Sequence, residues 1–232
     1  MNRVSDACGA VVAGRGLSKT YRRNAEQVHA LRDVHLTLHA GELVALVGPS
    51  GSGKSTLLNV LCGWERADAG VLTWGAELTG RHAEEMSWGE LALIPQALGL
   101  LEDLTVGENV SLPGRLTGKG DRGGKAAREL MTSVGIAHLA DRYPTQASLG
   151  EQQRCCVSRA LLLSPKIVLA DEPTAHQDAD WTEVIFTAFR QLVRNGSVCL
   201  IATHNPETWQ YADRILSMHD GELREGAPTP AH

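Results

Sequence analysis

The sequence predicts an α/β fold, in which a core with a parallel sheet carries an N-terminal antiparallel β sub-lobe and a helical sub-lobe. Residues 43–47, 167–170 and 198–202 are short, unbroken apolar runs, which are typical of parallel strands buried on both faces. A glycine-rich loop follows the first run, and segments with helical spacing separate the others. This order of strand, glycine loop, helix and further strands is typical of a doubly wound sheet.

Alternation near the N-terminus predicts the antiparallel sub-lobe. Val34, Leu36 and Leu38 fall on one face of an extended segment, and polar residues fall on the other. This pattern indicates a half-buried strand, so we expect residues 34–38 in a side sheet rather than in the buried core.

The helical sub-lobe is predicted over about residues 97–160. Helical spacing runs over residues 125–134 and again over residues 152–163. We expect the second helix to end at Ser164, because the residue before a proline, here Pro165, disfavours the helical conformation.

Two segments are expected to be mobile. Residues 117–124 are rich in Gly, Lys and Asp and predict a loop. Residues 221–232 contain two prolines and predict a flexible, frayed tail. The whole chain, residues 1–232, is expected to form a single domain.

Composition narrows the function classes. The 232 residues include 22 Lys and Arg against 27 Asp and Glu, a formal net charge of -5. This acidic balance gives no general attraction to nucleic acid, so no nucleic-acid partner is expected. No apolar run approaches the roughly 18 residues of a membrane span, and the first residues lack the apolar centre of a signal peptide. We therefore expect a cytoplasmic chain.

The five cysteines predict neither a disulfide framework nor a zinc site. Their number is odd and none shows CxxC spacing. We expect them to be small buried hydrophobic residues in a reducing compartment.

Residues 48–55 match the phosphate-binding pattern GxxxxGK[ST]. Glycines let backbone N–H groups curl around phosphate oxygens, and the following helix presents its positive N-terminus to the same anion. In this pattern Lys54 would bridge the β- and γ-phosphates, and the Ser55 hydroxyl would bind Mg²⁺. The alternative, a glycine-rich turn without a ligand, is disfavoured because the loop lies between a buried strand and a helix.

An acidic pair follows the second apolar run. Asp171 at the strand tip can hold Mg²⁺ through water, and Glu172 can polarise the attacking water of a hydrolysis. The alternative is that the two carboxylates simply mark a solvated strand end. This is the weaker interpretation, because the pair ends a buried strand that should lie beside the phosphate loop.

Two further motifs resemble those of a known protein family. Residues 147–154 read ASLGEQQR, and Pro173-Thr174 after the acidic pair lead to Asp178. With the phosphate loop, these motifs resemble those of the ATP-binding subunits of ABC transporters, over residues 17–222. The resemblance implies a P-loop NTPase (RecA-like) core, ATP and Mg²⁺ as ligands, and ATP hydrolysis.

The resemblance also implies individual roles. Tyr21 would stack on adenine, which needs only a flat ring. Gln96 would sense Mg²⁺ and the water, as a catalytic residue and a metal ligand, and His204 would contact the γ-phosphate. Glu172, His204 and Gln96 are thus the expected catalytic residues. The expected nucleotide-binding residues are Tyr21, Gly48, Pro49, Ser50, Gly51, Ser52, Gly53, Lys54, Ser55, Thr56, Ser148, Gly150 and Asp178. The expected metal ligands are Ser55, Gln96 and Asp171.

The resemblance implies partners. Two chains, either two copies or one copy and a paralogous ATPase, would sandwich ATP head to tail, so that Ser148 and Gly150 act on the partner's ATP. A separate transmembrane permease would hold the chain at the inner face of the cell membrane, docking near residues 96–110, where Leu98, Leu100 and Leu101 form an apolar cluster. The alternative is that this cluster packs inside the lobe.

Residues 28–34 and 169–174 look most like one bacterial subgroup, which contains lipoprotein-release, macrolide or peptide efflux, and cell-division ATPases.

Three positions depart from the family pattern. Ala147 replaces the usual Leu of the signature, Leu149 replaces its first Gly, and His176 lies in a loop that is usually small and apolar. A leucine beside a phosphate adds bulk, and it would be strained if the position needed positive φ. We expect an active but slow ATPase. The alternative is a low-turnover, ATP-gated dimer clamp that regulates a membrane partner in cell-envelope work. A kinase or GTPase would require the signature-like segment to be a coincidence.

Overall fold

The computed structural model describes residues 9–23, 26–75, 78, 82–118 and 120–228. It has two sheets, and the predicted α/β class is confirmed. The strands are β1 (Ala10–Arg23), β2 (Glu26–His39), β3 (Leu43–Val47), β4 (Ala69–Trp74), β5 (Leu91–Ile94), β6 (Ile167–Asp171), β7 (Val198–Thr203), β8 (Arg214–His219) and β9 (Glu222–Glu225). The helices are α1 (Lys54–Leu61), α2 (Val106–Leu116), α3 (Gly120–Ser133), α4 (Leu149–Leu161) and α5 (Ala179–Arg194).

The larger sheet has the order β5-β6-β7-β3-β8-β9. Its first five strands run parallel, and β9 is antiparallel to β8. Every residue of β3, β6 and β7 is buried, which explains their unbroken apolar runs. Because these strands are parallel, their carboxyl ends meet at one edge of the sheet, where ligands bind in open α/β folds.

The predicted N-terminal side sheet is present as three antiparallel strands in the order β2-β1-β4. Val34, Leu36 and Leu38 are buried and alternate with more exposed residues, as expected for a strand with one face on the core. Their side chains join those of β3 and α1 in one hydrophobic cluster, so this sheet covers one side of the phosphate loop region.

The helices α2, α3 and α4 pack around a second group of apolar side chains, which includes Val110, Met131, Ile136 and Cys155. Two expectations about mobile segments are wrong here. The expected loop at residues 117–124 is helical from Gly120, since packing of the apolar face of α3 outweighs the roughly 1 kcal/mol helix penalty of a glycine. The tail expected to fray from Gly221 instead forms β9, which pairs with β8; residues 229–232 lie outside the described residues.

Four cysteines, Cys62, Cys155, Cys156 and Cys199, are buried and unpaired, as predicted, and Cys8 lies outside the described residues. Burial raises the pKa of the Cys155 and Cys199 thiols to about 12, so both stay protonated at neutral pH. Among the described residues, no helix is long and apolar enough to cross a membrane.

Candidate functional site

The glycine-rich loop joins the buried end of β3 to the first turn of α1, as the sequence predicts. Gly53 precedes α1 with a φ of 110°, and a side chain there would strike the carbonyl oxygen of Ala30. Gly48, with a φ of 150°, lies in the same way against the carbonyl of Met218. Only glycine fits these two positions, so the loop keeps a tight curl from which backbone N–H groups and the N-terminus of α1 can face an anion.

Lys54 is folded onto this loop. Its Nζ donates to the carbonyls of Gly48 at 2.7 Å and Pro49 at 3.0 Å, and the residue is buried. Burial lowers the Lys54 pKa, and the negative charges of Glu172 and Asp171 oppose that shift. The fold therefore brings the acidic pair within electrostatic reach of the loop lysine, although more than a hundred residues separate them in sequence.

The remaining loop hydroxyls suit a phosphate ligand. Ser52 is 3% exposed, and its Oγ has no hydrogen-bond partner among the described residues. A buried hydroxyl without a partner is costly unless a ligand or water supplies one. Ser55 is exposed in the first turn of α1, and Ser50 and Gly51 are exposed at the loop tip. These groups can reach an anion held by the loop.

Tyr21 reaches the same region from β1. Burial raises the pKa of its hydroxyl, and a hydrogen bond with Thr56 in the first turn of α1 opposes that shift. The Nζ of Lys19 lies 5.5 Å from the centroid of the Tyr21 ring. The fold thus places this aromatic ring next to the phosphate loop, where stacking on an adenine is expected.

The acidic pair lies at the carboxyl edge of the sheet. Asp171 is the buried last residue of β6, and Glu172 follows it. The strand that ends in the acidic pair, β6, is not adjacent to β3, the strand that leads into the phosphate loop. β7 lies between them. All three strands still end at the same edge, which also brings His204, just after β7, to the site.

Glu172 and His204 are in direct contact. Oε1 of Glu172 accepts hydrogen bonds from the His204 backbone N–H at 3.0 Å and faces His204 Nδ1 at 2.6 Å. Because a carboxylate only accepts, this geometry places a proton on Nδ1 of the histidine. The Glu172 side chain is 12% exposed, so the carboxylate is held at one oxygen at the floor of the site.

The oxygen donors at the site fit Mg²⁺ bound together with a nucleotide. Ser55 and Asp171 offer a hydroxyl and a carboxylate, which are ligands that Mg²⁺ prefers. Gln96, exposed two residues after β5, adds an amide oxygen at the same edge of the sheet. Within the described part of the chain, no three His, Cys, Asp or Glu residues cluster as a metal site.

The signature segment begins α4. Ser148 is the N-cap of this helix, and its Oγ accepts from the Glu151 N–H while it donates to Glu151 Oε2 at 2.7 Å. Leu149 is the first helical residue and has no positive φ, so the strain considered for it from sequence is absent. Its side chain is 48% exposed, and bulk is therefore the property in which it differs from glycine. Gly150 packs so closely on the His176 carbonyl that a side chain would clash.

Asp178 has a structural role in the chain. It is the N-cap of α5, and its Oδ1 accepts from the Trp181 N–H at 2.9 Å. Its predicted contact with nucleotide stays a prediction.

The sequence alone assigns no role to Gln153, Gln177 or Trp181. In the structure these residues connect the signature helix α4 to the start of α5 and the loop before it. Gln177 donates to the Gly150 carbonyl at 2.9 Å and accepts from Arg154 at 2.8 Å. The Arg154 guanidinium lies 4.1 Å from the Trp181 ring centroid. Gln153 stands within the signature motif, but these contacts join segments 23 to 27 residues apart, which no local pattern shows.

Comparisons with known proteins show which family the chain resembles. A family profile described as ABC transporter matches residues 31–175 of the chain. A lipoprotein-releasing system ATP-binding protein, LolD 2 of Caulobacter vibrioides, is 40% identical over 219 residues, which cover 92% of this chain and 96% of the relative. A macrolide export ATP-binding/permease protein, MacB of Salmonella typhimurium, is 37% identical over 221 residues, which cover 91% of this chain and 34% of that longer protein.

Solved structures give the same result. The chain superposes with a TM-score of 0.85 on a dimeric ATP-binding cassette in a post-hydrolysis state bound to ADP and Pi. The two are 31% identical, and the match covers 93% of this chain and 97% of the other. The predicted resemblance is therefore confirmed at the level of sequence and of fold.

Proposed function

Since the chain belongs to the ABC transporter family, we propose that it is the ATP-binding and ATP-hydrolysing subunit of a bacterial transporter. The observation that carries this proposal is the convergence of Lys54, Asp171, Glu172 and His204 at the carboxyl edge of one sheet. Each group has the chemistry that cleavage of a γ-phosphate requires. Asp171 and Glu172 come from the end of β6, Lys54 from the start of α1 and His204 from the end of β7.

The loop residues would hold the triphosphate. Backbone N–H groups of residues 48–53 and the Lys54 ammonium would meet the phosphate oxygens, and Tyr21 would stack on the base. Ser55, Asp171 and Gln96 would hold Mg²⁺, which would neutralise negative charge developing on the phosphates. Burial lowers the Lys54 pKa, while the negative charges of Glu172 and Asp171 oppose this shift and favour the ammonium form that would meet the phosphates.

Glu172 would orient the attacking water and accept its proton on the carboxylate. His204 fixes this carboxylate through two contacts to Oε1, which orients the base before the substrate arrives. His204 has a 67% exposed side chain, so it can also approach a γ-phosphate at the open side of the site. Preorganised groups of this kind lower the barrier because they need no rearrangement during the reaction.

The signature of one chain would complete the site of a second. The N-terminus of α4 is exposed at Leu149, and a helix N-terminus favours an anion. The Ser148 hydroxyl would exchange its bond to Glu151 for one to the partner's γ-phosphate. The dimeric cassettes that the chain resembles support a head-to-tail dimer, either with a second copy or with a paralogous ATPase.

The membrane part would be a separate permease, with this chain on the inner face of the membrane. Two relatives that the match covers almost completely are named ATP-binding proteins of lipoprotein-releasing systems, which supports this arrangement. Of the predicted docking cluster, Leu98 is buried and Leu101 is 48% exposed, so Leu101 is the leucine available to a partner.

Leu149 favours one alternative function. A bulky side chain at the signature would hinder close approach to a phosphate, which would suit a dimer clamp that binds ATP with little turnover. Turnover distinguishes the two functions.

Steady-state ATP hydrolysis by the purified chain, beside Glu172→Gln, tests the proposal. We expect the substitution to abolish turnover because it removes the proton acceptor, and we expect the variant to form an ATP-trapped dimer on a sizing column in Mg-ATP. Glu183→Gln, an exposed change in α5, is the matched control and should hydrolyse at the wild-type rate. Hydrolysis that persists at the wild-type rate in Glu172→Gln would contradict the assigned role. Dimerisation by ATP without turnover, even after solubilised membranes are added, would favour the clamp.

A further inference from the structure

Glu172 has a backbone conformation that glutamate rarely adopts. Its φ is 50°, in the left-handed region that is strained for a residue with a side chain. Such a conformation persists only when the surrounding structure holds it. The contacts of the Glu172 peptide therefore determine where its carboxylate points.

Both polar ends of that residue's backbone are held. The Glu172 N–H donates to the carbonyl of Ala202 in β7 at 2.9 Å. The Glu172 carbonyl accepts from Nε2 of Gln153 at 2.7 Å, and also from the Ala175 N–H at 3.2 Å. One of these partners is a side chain from another element, the signature helix α4.

Gln153 is 2% exposed and uses both ends of its amide. While Nε2 donates to Glu172, Oε1 accepts from the His176 backbone N–H at 3.2 Å and faces His176 Nδ1 at 3.2 Å. The Gln153 amide faces the Glu172 carbonyl on one side and the His176 N–H on the other. Only one orientation of the amide satisfies both, since Oε1 can only accept and Nε2 can only donate. His176 thus locks the rotation of the amide that holds Glu172.

We propose that Gln153, oriented by His176, is a positioning residue that holds the strained backbone of Glu172 and so aims its carboxylate for hydrolysis. The inference rests on the proposed function of Glu172 as the base. It gives a use to His176, which departs from the small apolar residue of the family pattern. Displacing a catalytic group by about 1 Å can lower a rate by about a hundredfold, so a side chain that touches no substrate can still control turnover.

Three variants test this role. Gln153→Met keeps the length and approximate volume of the side chain and removes its hydrogen bonds to Glu172 and His176. His176→Ala removes the Nδ1 contact but keeps the backbone N–H. His176→Asn returns an amide N–H close to the position of Nδ1 and should rescue the loss. Gln210→Met, an exposed glutamine whose Nε2 bonds the Glu207 carbonyl, is the matched control away from the site.

Kinetics give the first readout. We expect Gln153→Met to lower kcat about tenfold and leave KM for ATP within about twofold, because the phosphate loop is untouched. His176→Ala should lower kcat about threefold, and His176→Asn should restore the wild-type rate. A wild-type kcat in Gln153→Met would overturn the inference. So would a decrease in kcat matched by an equal change in KM, without rescue by His176→Asn.

Hydrogen–deuterium exchange of the nucleotide-free chain gives a readout that needs no turnover. The Ala175 N–H bonds the Glu172 carbonyl and should exchange faster in Gln153→Met, while amides of β7 away from Ala202 stay protected. Unchanged exchange across residues 172–177 would overturn the inference by itself. A wild-type chain that hydrolyses no ATP even after solubilised membranes are added would instead contradict the proposed function, so the two failures are distinguishable.

Discussion

Leu149 shows how one residue can alter a site without strain. It occupies the first position of α4 in ordinary helical conformation, and its side chain is half exposed where a partner's phosphate would lie. Positive φ would have favoured glycine, but a helical position accepts any small residue. The expected effect on rate therefore comes from side-chain bulk.

This difference makes a prediction with two variants. Leu149→Gly and Leu149→Ala should both raise kcat about threefold, since each removes the bulk and neither needs a special backbone. Steady-state hydrolysis, with thermal unfolding to monitor the cost of glycine in a helix, measures the effect. An increase with glycine alone would show that backbone freedom limits the rate, and no increase in either variant would show that Leu149 does not slow hydrolysis.

At the scale of an element, the start of α4 is stabilised by a reciprocal cap. The Ser148 N–H and hydroxyl both donate to Oε2 of Glu151 at 2.7 Å, and Ser148 Oγ accepts from the Glu151 N–H. The hydrogen bonds from Ser148 lower the Glu151 pKa below its ordinary 4.5, and the bond from the Ser148 hydroxyl has the largest effect. The helix that presents the signature is thus held by the same serine that would meet the phosphate.

The lowered pKa gives the cap a defined pH dependence. A carboxylate with a depressed folded-state pKa stabilises the fold above its unfolded value near 4.5, and this contribution is lost as the pH falls through the folded value. We expect Glu151→Ala to cost about 1 kcal/mol at pH 7 and less at a pH well below 4.5. Urea unfolding at both pH values measures it, in a His138→Ala background that removes the histidine 3.7 Å from Glu151. An equal cost at both pH values would show that the charge of Glu151 plays no part.

At the scale of the molecule, the side chains that are expected to bind nucleotide lie at one edge of the parallel sheet. The helices α2–α4 lie at one side of it. A cavity of about 500 Å³ lies where these parts meet and is lined by Gln96, Leu100, Glu102, Leu149 and His176 among others. A permease that docks beside Gln96 would therefore touch both a predicted Mg²⁺ ligand and the signature helix. Such a permease would connect the membrane to the nucleotide site through this region.

The docking surface makes a prediction about assembly. Leu101→Asp should weaken co-purification of the permease from solubilised membranes roughly tenfold, because a charge would replace an apolar contact. ATP binding should remain at the wild-type level, since Leu101 is outside the phosphate loop. Leu116→Asp is the matched control, with a leucine that is 67% exposed at the end of α2. Equal losses in both variants would place the permease elsewhere, and loss of ATP binding would indicate misfolding.

The sequence by itself determined the parts whose signals are local. The buried strands show as apolar runs, and residues 48–55 carry their glycines and lysine in contiguous order. The acidic pair at the end of β6 shows in the same way. Only residues within a few positions of one another are needed to specify such features, so a single chain reveals them.

Only the tertiary structure decided the features that depend on distant residues. The left-handed backbone of Glu172 exists because β7 and Gln153 hold it from two sides. α3 begins early and β9 forms because packing and pairing outweigh weak local preferences. Side chains that meet across the fold leave no pattern in the sequence, since their contact energies depend on where the chain has already been placed.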